Sequence, residues 1–300
     1  MIRACAAIVI GICVIFIVAL FSIDAIIEKK IRSQFGELSP ALQIKFSGVR
    51  SRIFSSSVSF DSLQISFTPY IDHQEEQHIF LFTKVSLQGI HFLNFLFHKK
   101  LVARDLSLTG GDIRLSRSLL DTKDSVQMQA IRGIKWPFRT LSLDRVQLKQ
   151  SNIFLHSAQD DKLLARGNVS FRGVATDKPG GKPALSALDV DLADIDYPSM
   201  DSRIRIRRLQ LSSTSKSVKI DSLQLSKNSK HNRAIIRSIK ITGIEMSKLM
   251  DEQALICEKI KVADANVVAS DDNVRALPDL KELHADVFEI HNSRFTYQTS

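Results

Sequence analysis

Cysteine, proline, glycine and tryptophan are all scarce in this chain of 300 residues: 3 Cys, 7 Pro, 12 Gly and 1 Trp. Cys5 and Cys13 lie in an apolar N-terminus, which leaves Cys257 alone in the rest of the chain. No intramolecular disulfide is open to the folded region, so a small disulfide-stapled secreted scaffold is excluded. Scarce glycine argues against a Gly-rich cofactor-binding architecture. There is no Gly-x-Ser-x-Gly, no phosphate-binding Gly-Lys-Ser/Thr loop and no Cys-x-x-Cys. The residues spell out no nucleophile–base arrangement, so we expect neither an enzyme nor a cofactor. An apolar fraction of 44% with 24% charged residues also excludes a disordered chain and a coiled coil.

Some residue types suggest metals and resist that reading. His73 and His78 are five apart, off the four-residue spacing that shares a helix face, so they read as part of a solvated acidic turn. Asp189, Asp191, Asp194 and Asp196 alternate with Val190, Leu192 and Ile195, which reads as the polar face of a strand. No metal site is expected. Cys257 falls where the repeat below has alanine and reads as a small buried hydrophobe.

The net charge is +9, and it is local. Residues 202–250 carry twelve Lys or Arg against two acids, Asp221 and Glu245, so the remainder is close to neutral. The segment contains no Phe, Tyr or Trp, and single-strand nucleic-acid grooves interleave aromatics for base stacking. Nucleic acid is therefore not an expected partner. Two readings stay open: a solvated basic strand face, or contact of Arg203, Arg205, Arg207 and Arg208 with anionic lipid headgroups.

Residues 4–23 run without a charge. As a helix, that stretch spans about 30 Å, the thickness of a bilayer's hydrocarbon core. It exceeds a signal-peptide core and lacks a small-x-small site after it, so an uncleaved transmembrane anchor is expected at 1–23. Arg3 lies before it and Lys29, Lys30 and Arg32 after it; charge counting alone would leave the C-terminal side in the cytoplasm. Ile26, Ile27, Ile31 and Phe35 extend a helical pattern over 24–41 that Gly36 and Pro40 stop.

Beyond that point the period is two, the mark of strands with one apolar face. The pattern also repeats. Phe60-Asp61-Ser62-Leu63-Gln64-Ile65-Ser66 returns 160 positions on as Ile220-Asp221-Ser222-Leu223-Gln224-Leu225-Ser226, and residues 85–115 align with 239–269 at an offset of 154. Two β modules, 42–118 and 202–300, are expected around a middle β region, 119–201. A smaller unit sets the inward stripe. Its first copy is Leu101, Ala103, Leu106, Leu108, Ile113 and Leu115. Its second is Leu141, Leu143, Val146, Leu148, Ile153 and Leu155. Its third is Leu255, Cys257, Ile260, Val262 and Val267. Phe288, Ile290, Phe295 and Tyr297 make a looser fourth.

In the first three copies the alternation slips by one residue at Arg104-Asp105, Asp144-Arg145 and Glu258-Lys259. A β-bulge there returns later side chains to one face. A second slip near Gly111, Ser151 and Ala265 reads as a turn or bulge. Phe92, Leu93, Phe95, Leu96 and Phe97 predict a short amphipathic helix, with Ile244, Met246, Leu249 and Met250 as its counterpart. Loops are expected at 119–124, 158–162, 176–183 and 228–232, where polar residues, Pro and Gly gather.

An N-terminal anchor, a helix leading from it, and units such as Val85-Ser-Leu-Gln-Gly-Ile-His-Phe, Leu101-Val-Ala-Arg-Asp-Leu-Ser-Leu and Ile290-His-Asn-Ser-Arg-Phe-Thr-Tyr resemble the AsmA-like proteins of Gram-negative envelopes. The likeness covers nearly the whole chain, though family members are often much longer. It implies an inner-membrane, single-pass protein with its C-terminal domain in the periplasm, against the charge count. The implied fold is an elongated, twisted antiparallel sheet whose open apolar groove carries phospholipid acyl chains toward the outer membrane. The alternative is a structural envelope scaffold with a filled core and no lipid. Strands of five or six residues are expected, about 17–20 Å across. The chain stops three residues after Tyr297, so its last strand is expected to lack a partner, inviting more chain or another envelope protein.

Overall fold

The computed structural model describes Lys29 and residues 42–52, 55–67, 70–71, 74–75, 78–116, 139–156, 161–176, 184–198, 202–227, 233–252, 254–270 and 282–298. The expected anchor and, apart from helical Lys29, the segment after it lie outside the described residues. Among those described, no helix is long and apolar enough to cross a membrane.

The chain is mainly β. In order come β1 (Leu42–Ser47), β2 (Arg50–Arg52), β3 (Ser57–Phe60), β4 (Ser62–Phe67), β5 (Tyr70–Ile71), β6 (Gln74–Glu75) and β7 (His78–Gln88). Helix α1 (Phe92–His98) follows, then β8 (Lys100–Ser116), β9 (Thr140–His156), β10 (Asp161–Thr176), β11 (Ala187–Pro198), β12 (Ser202–Ser212), β13 (Ser217–Lys227) and β14 (Arg233–Thr242). A π-helical turn (Lys248–Glu252) precedes β15 (Ala254–Ser270), β16 (Glu282–His291) and β17 (Arg294–Gln298). The turn stands where the sequence predicts a counterpart to α1.

Hydrogen bonds order the strands β1-β4-β7-β8-β9-β10-β11-β12-β13-β14-β15-β16, with β2 on β3, β3 on β7 and β17 on β15. The sheet is mixed, which corrects the expectation of an antiparallel one. β15 runs parallel to both β16 and β17, because Glu282 starts opposite Ala254, at the same end. Strand length is a second correction: β8, β9 and β15 each have 17 residues. The apparent breaks are bulges inside continuous strands. Lys162 and Thr176, expected in loops, belong to β10. His78 is not solvated; it opens β7 fully buried.

By internal contacts the chain forms two units, Met1–Val146 with Gly173–Ala184, and Gln147–Arg172 with Leu185–Ser300. β9 and β10 are each divided between the two units. Unit 1 is centred on Val49, Val58, Ile90, Phe95, Ala103 and Leu143. Unit 2 is centred on Val218, Ile241, Ile244, Cys257 and Ile260.

The internal repeat is visible in the backbone. β1 pairs β4 with Ile44 opposite Ile65; 160 residues later β12 pairs β13 with Ile204 opposite Leu225. The Ile90 N–H donates to the Ser56 carbonyl at 2.9 Å, and the Ile244 N–H to the Lys216 carbonyl at 3.0 Å. The His91 N–H donates to Val102 as Glu245 does to Ile256. β8 and β15 begin and end 154 residues apart. β16 and β17 together span the 17 residues that correspond to β9.

Candidate apolar binding site

The slips in alternation occur together in neighbouring strands. In unit 2 the ladders skip Asp194, Arg207, Ser222, Arg237 and Asp264, while register on either side is unchanged. Asp194, Ser222 and Asp264 have left-handed φ of 53°, 58° and 54°. Unit 1 has the same device at Gly48 and Gly110, with φ of 58° and 63°. One extra residue flips all later side chains of a strand. When each strand in a row carries one, the apolar face is restored for all of them and pairing survives.

A second row lies at Gly89, opposite Arg104, and at Gly243, opposite Glu258. Here φ is 68° and 71°. A Cβ on Gly89 would meet Arg104 Cβ at 2.7 Å; on Gly243 it would meet Glu258 Cβ at 2.6 Å. Glycine is therefore needed both for the left-handed backbone and for the close approach. The step carries the chain from Leu87 to Ile90 on one face, and from Ala103 to Leu106 on the facing strand, all within one cluster. The charged pair does mark the slip in β8, but it is met by an equal slip at Gly89, just past the end of β7.

On this face of unit 1 the side chains form cross-strand rows. Ile44 faces Ile65, which faces Phe80 and then Ile113; Phe46 faces Leu63 and then Phe82; Phe60 faces Val85 and then Leu108. Helix α1 closes one end, turning Phe92 and Phe95 onto the sheet while Leu93 and Phe97 stay 70% and 75% exposed. Between helix and strands lies a cavity of about 430 Å³ whose sixteen lining residues are all apolar. It falls in the size range of small-molecule sites, without the polar groups that orient a polar ligand. Among the aromatics, Phe46 and Phe60 meet edge-on at 5.4 Å.

Of the first predicted stripe, Leu101, Leu106 and Leu108 line this cavity and Ala103 is buried beside them. Ile113 stands opposite Phe80, and Leu115 is half-buried farther along β8. Leu141, Leu143 and Val146 join the same cluster. Leu148 lines a separate depression of about 610 Å³ in unit 2; Val169, Val190, Leu211 and Val218 share its wall, but the other eleven of its sixteen lining residues are polar or charged. Ile153 and Leu155 are half-buried in β9. Leu255, Cys257, Ile260 and Val262 form the core of the second repeat, and Val267 lies between Ala234 and Phe295. Burial raises the Cys257 thiol's pKa, and its Sγ faces the His284 carbonyl at 3.6 Å.

The stripe omitted the β1–β7 lining, above all Phe46, Phe60, Phe80 and Phe82. Their alternation around 58–66 and 79–87 was the available signal. The fourth copy is more exposed: Phe288 is 57% and Phe295 61% exposed.

The four arginines singled out on β12 divide. Arg208 donates two hydrogen bonds to Asp191, at 2.9 and 2.7 Å, and Arg203 grips both Asp196 oxygens. These bonds hold both carboxyls below their ordinary pKa. Arg205 is also near Asp196, at 3.8 Å. Arg207 sits exposed in the row of slips and makes no ion pair among the described residues. Asp191 and Asp196 of β11 are thus the partners of Arg203, Arg205 and Arg208, while Asp189 pairs with Arg172 of β10. Among the described residues no group of three or more His, Cys, Asp or Glu is placed to hold a metal.

No protein-family model matches the chain, and neither does a curated protein or a solved structure.

Proposed function

We propose that this chain binds phospholipid acyl chains on the apolar face of its sheet and serves lipid transport between envelope membranes or outer-membrane biogenesis. The observation that carries the reading is the cavity of unit 1. It has space for a ligand, and none of its lining side chains is polar. Apolar ligands bind such a wall by leaving water, at about 25 cal/mol per Å² removed. A polar ligand would leave its own groups unpaired there. The apolar rows run across strands, so a chain lying along one meets methyl groups and rings at intervals of about 4.8 Å. Leu93 and Phe97, exposed beside Lys99 and Lys100, suit a helix that touches an anionic bilayer.

The wider setting is the one that resemblance to AsmA-like proteins implies: inner-membrane anchored, with the sheet forming an open groove in the periplasm. Topology is tested by fusing a reporter active only outside the cytoplasm after Ser300. Signal is expected; signal solely from a cytoplasmic reporter would remove the envelope role.

Lipid binding is tested by native mass spectrometry of detergent-extracted chain, with photo-crosslinking to an acyl-labelled phospholipid. Co-purified phospholipid and a crosslink to wild type are expected. Leu108→Asp, which places a carboxylate in the cavity wall, should abolish the crosslink while far-ultraviolet circular dichroism is retained; Val262→Asp is the matching change in the second repeat. Unchanged crosslinking in both variants would overturn the proposal and favour a filled scaffold.

A further inference from the structure

The two ends of the strand order are open among the described residues: β1 at one, β16 at the other. In the first repeat, β9 has β10 on its far side, whereas the equivalent β16 has no strand there among the described residues. Leu283, Val287, Phe288 and Ile290 are accordingly exposed. An alternating strand with unpaired backbone and exposed apolar side chains is a template for another strand.

The molecule itself supplies the pattern of what fits. β1 and β2 are equivalent to β12, whose neighbour is β11. β16 resembles β11 in its spacing. Leu283, Ala285, Phe288 and Ile290 repeat the intervals of Val190, Leu192, Ile195 and Tyr197, and Glu282 and Glu289 fall where β11 has Asp189 and Asp196. In the β11–β12 ladder, Asp196 faces Arg205, Ile195 faces Ile206, and Asp189 faces Ser212. Carrying that register over puts Glu289 opposite Lys45, Phe288 opposite Phe46, Ile290 opposite Ile44 and Glu282 opposite Arg52. Both acids meet bases and both apolar pairs meet each other. Lys45 and Arg52 are exposed. Two β16 strands facing each other at full overlap would set Glu282 against His291 and Glu289 against His284, so neither acid would gain the lysine or arginine that β1 and β2 offer.

We infer that the β16 edge of one molecule pairs antiparallel with the β1 edge of a second, as β11 pairs with β12 inside the chain. The contact is heterologous, so it extends to a ring or an open row. The inference is independent of lipid binding.

The test uses the full chain in mild detergent with Cys5 and Cys13 replaced by alanine. One preparation carries Lys45→Cys and another Glu289→Cys. Opposed residues of an antiparallel pair have Cα atoms about 4.5–5.5 Å apart, within reach of a disulfide. An oxidised dimer is expected only on mixing. The out-of-register mixture, Lys45→Cys with Glu282→Cys, should give none. By mass photometry, Arg52→Glu should weaken association about tenfold, and mixing it with Glu282→Lys should restore it; this pair is chosen because Glu289 is already held by Lys259 at 2.6 Å within its own chain. Four results would overturn the inference: no crosslink with a monomeric chain; equal crosslinking out of register; dimers from Glu289→Cys alone; or strong hydrogen-exchange protection, in monomers, of those β16 amides that point away from β15, which would mean the edge is already covered.

Discussion

The two repeats use one backbone and two side-chain vocabularies. In the first, the apolar face carries Phe46, Phe60, Phe80, Phe82, Phe92 and Phe95. The corresponding residues of the second are Ile206, Ile220, Ala234, Ile236, Met246 and Leu249, none of them aromatic. Yet Gly89 and Gly243 take the same left-handed step, and Ile90 and Ile244 receive the same support from the preceding turn. The fold is therefore set by where alternation slips and where a left-handed residue stands. Ring or branched aliphatic is a separate choice, and it decides the shape of the space above the sheet.

The largest expected difference comes from the helical lid. Phe95 is 5% exposed and joins the first core, whereas its counterpart Leu249 is half-buried beside the second. Phe95→Ala is expected to cost about 3–4 kcal/mol and Leu249→Ala about 1–2 kcal/mol, read as urea midpoints with hydrogen exchange to locate the loss. Equal losses would mean that α1 and the π-helical turn do the same packing work, and the contrast between the repeats would fail at that element.

A smaller effect should be shared. Gly89→Ala and Gly243→Ala each force an L side chain into the left-handed region and against a facing Cβ. About 2 kcal/mol is expected for each, measured by the same unfolding transitions. A loss confined to one site would show that the two steps are not one device.

Much of this was legible in the residues, for a physical reason. Period-two alternation exposes strands directly, and a one-residue slip is visible when Leu106 and Leu108 follow Leu101 and Ala103 out of phase. The offsets of 154 and 160 that align the sequence also align the ladders. Slips between two strands were harder. Arg207 and Ser222 stand opposite each other in the row, and neither residue type announces a bulge. The parallel return of β16 was not legible at all, because alternation is the same in parallel and antiparallel strands. Nor was the partnership of β11 with β12. Their charges were plain, but only register brings Asp196 opposite Arg205 and places Asp191 within reach of Arg208.

That partnership gives the smallest expected difference between the repeats, and an acid titration isolates it. In the second repeat β12 is tied to β11 by Arg203 on Asp196 and Arg208 on Asp191; at the equivalent positions β1 has Gln43 and the following segment Gly48. The donated hydrogen bonds lower both carboxyls below the ordinary 3.8. A lowered carboxyl binds its proton more weakly in the folded state than in the unfolded one. Its stabilisation is therefore complete above the ordinary carboxylate range and is lost as pH falls through the lower folded value. Protection factors over 187–212 are expected to drop slightly between pH 5 and pH 3, because exposed pairs contribute little and salt screens them. Asp191→Asn with Asp196→Asn should remove that acid-dependent drop from β11 and β12 and leave protection over 42–67 unchanged. If the double variant keeps the full acid response, the ladder of charges does not distinguish the second repeat, and its β11–β12 pairing rests on the apolar rows alone.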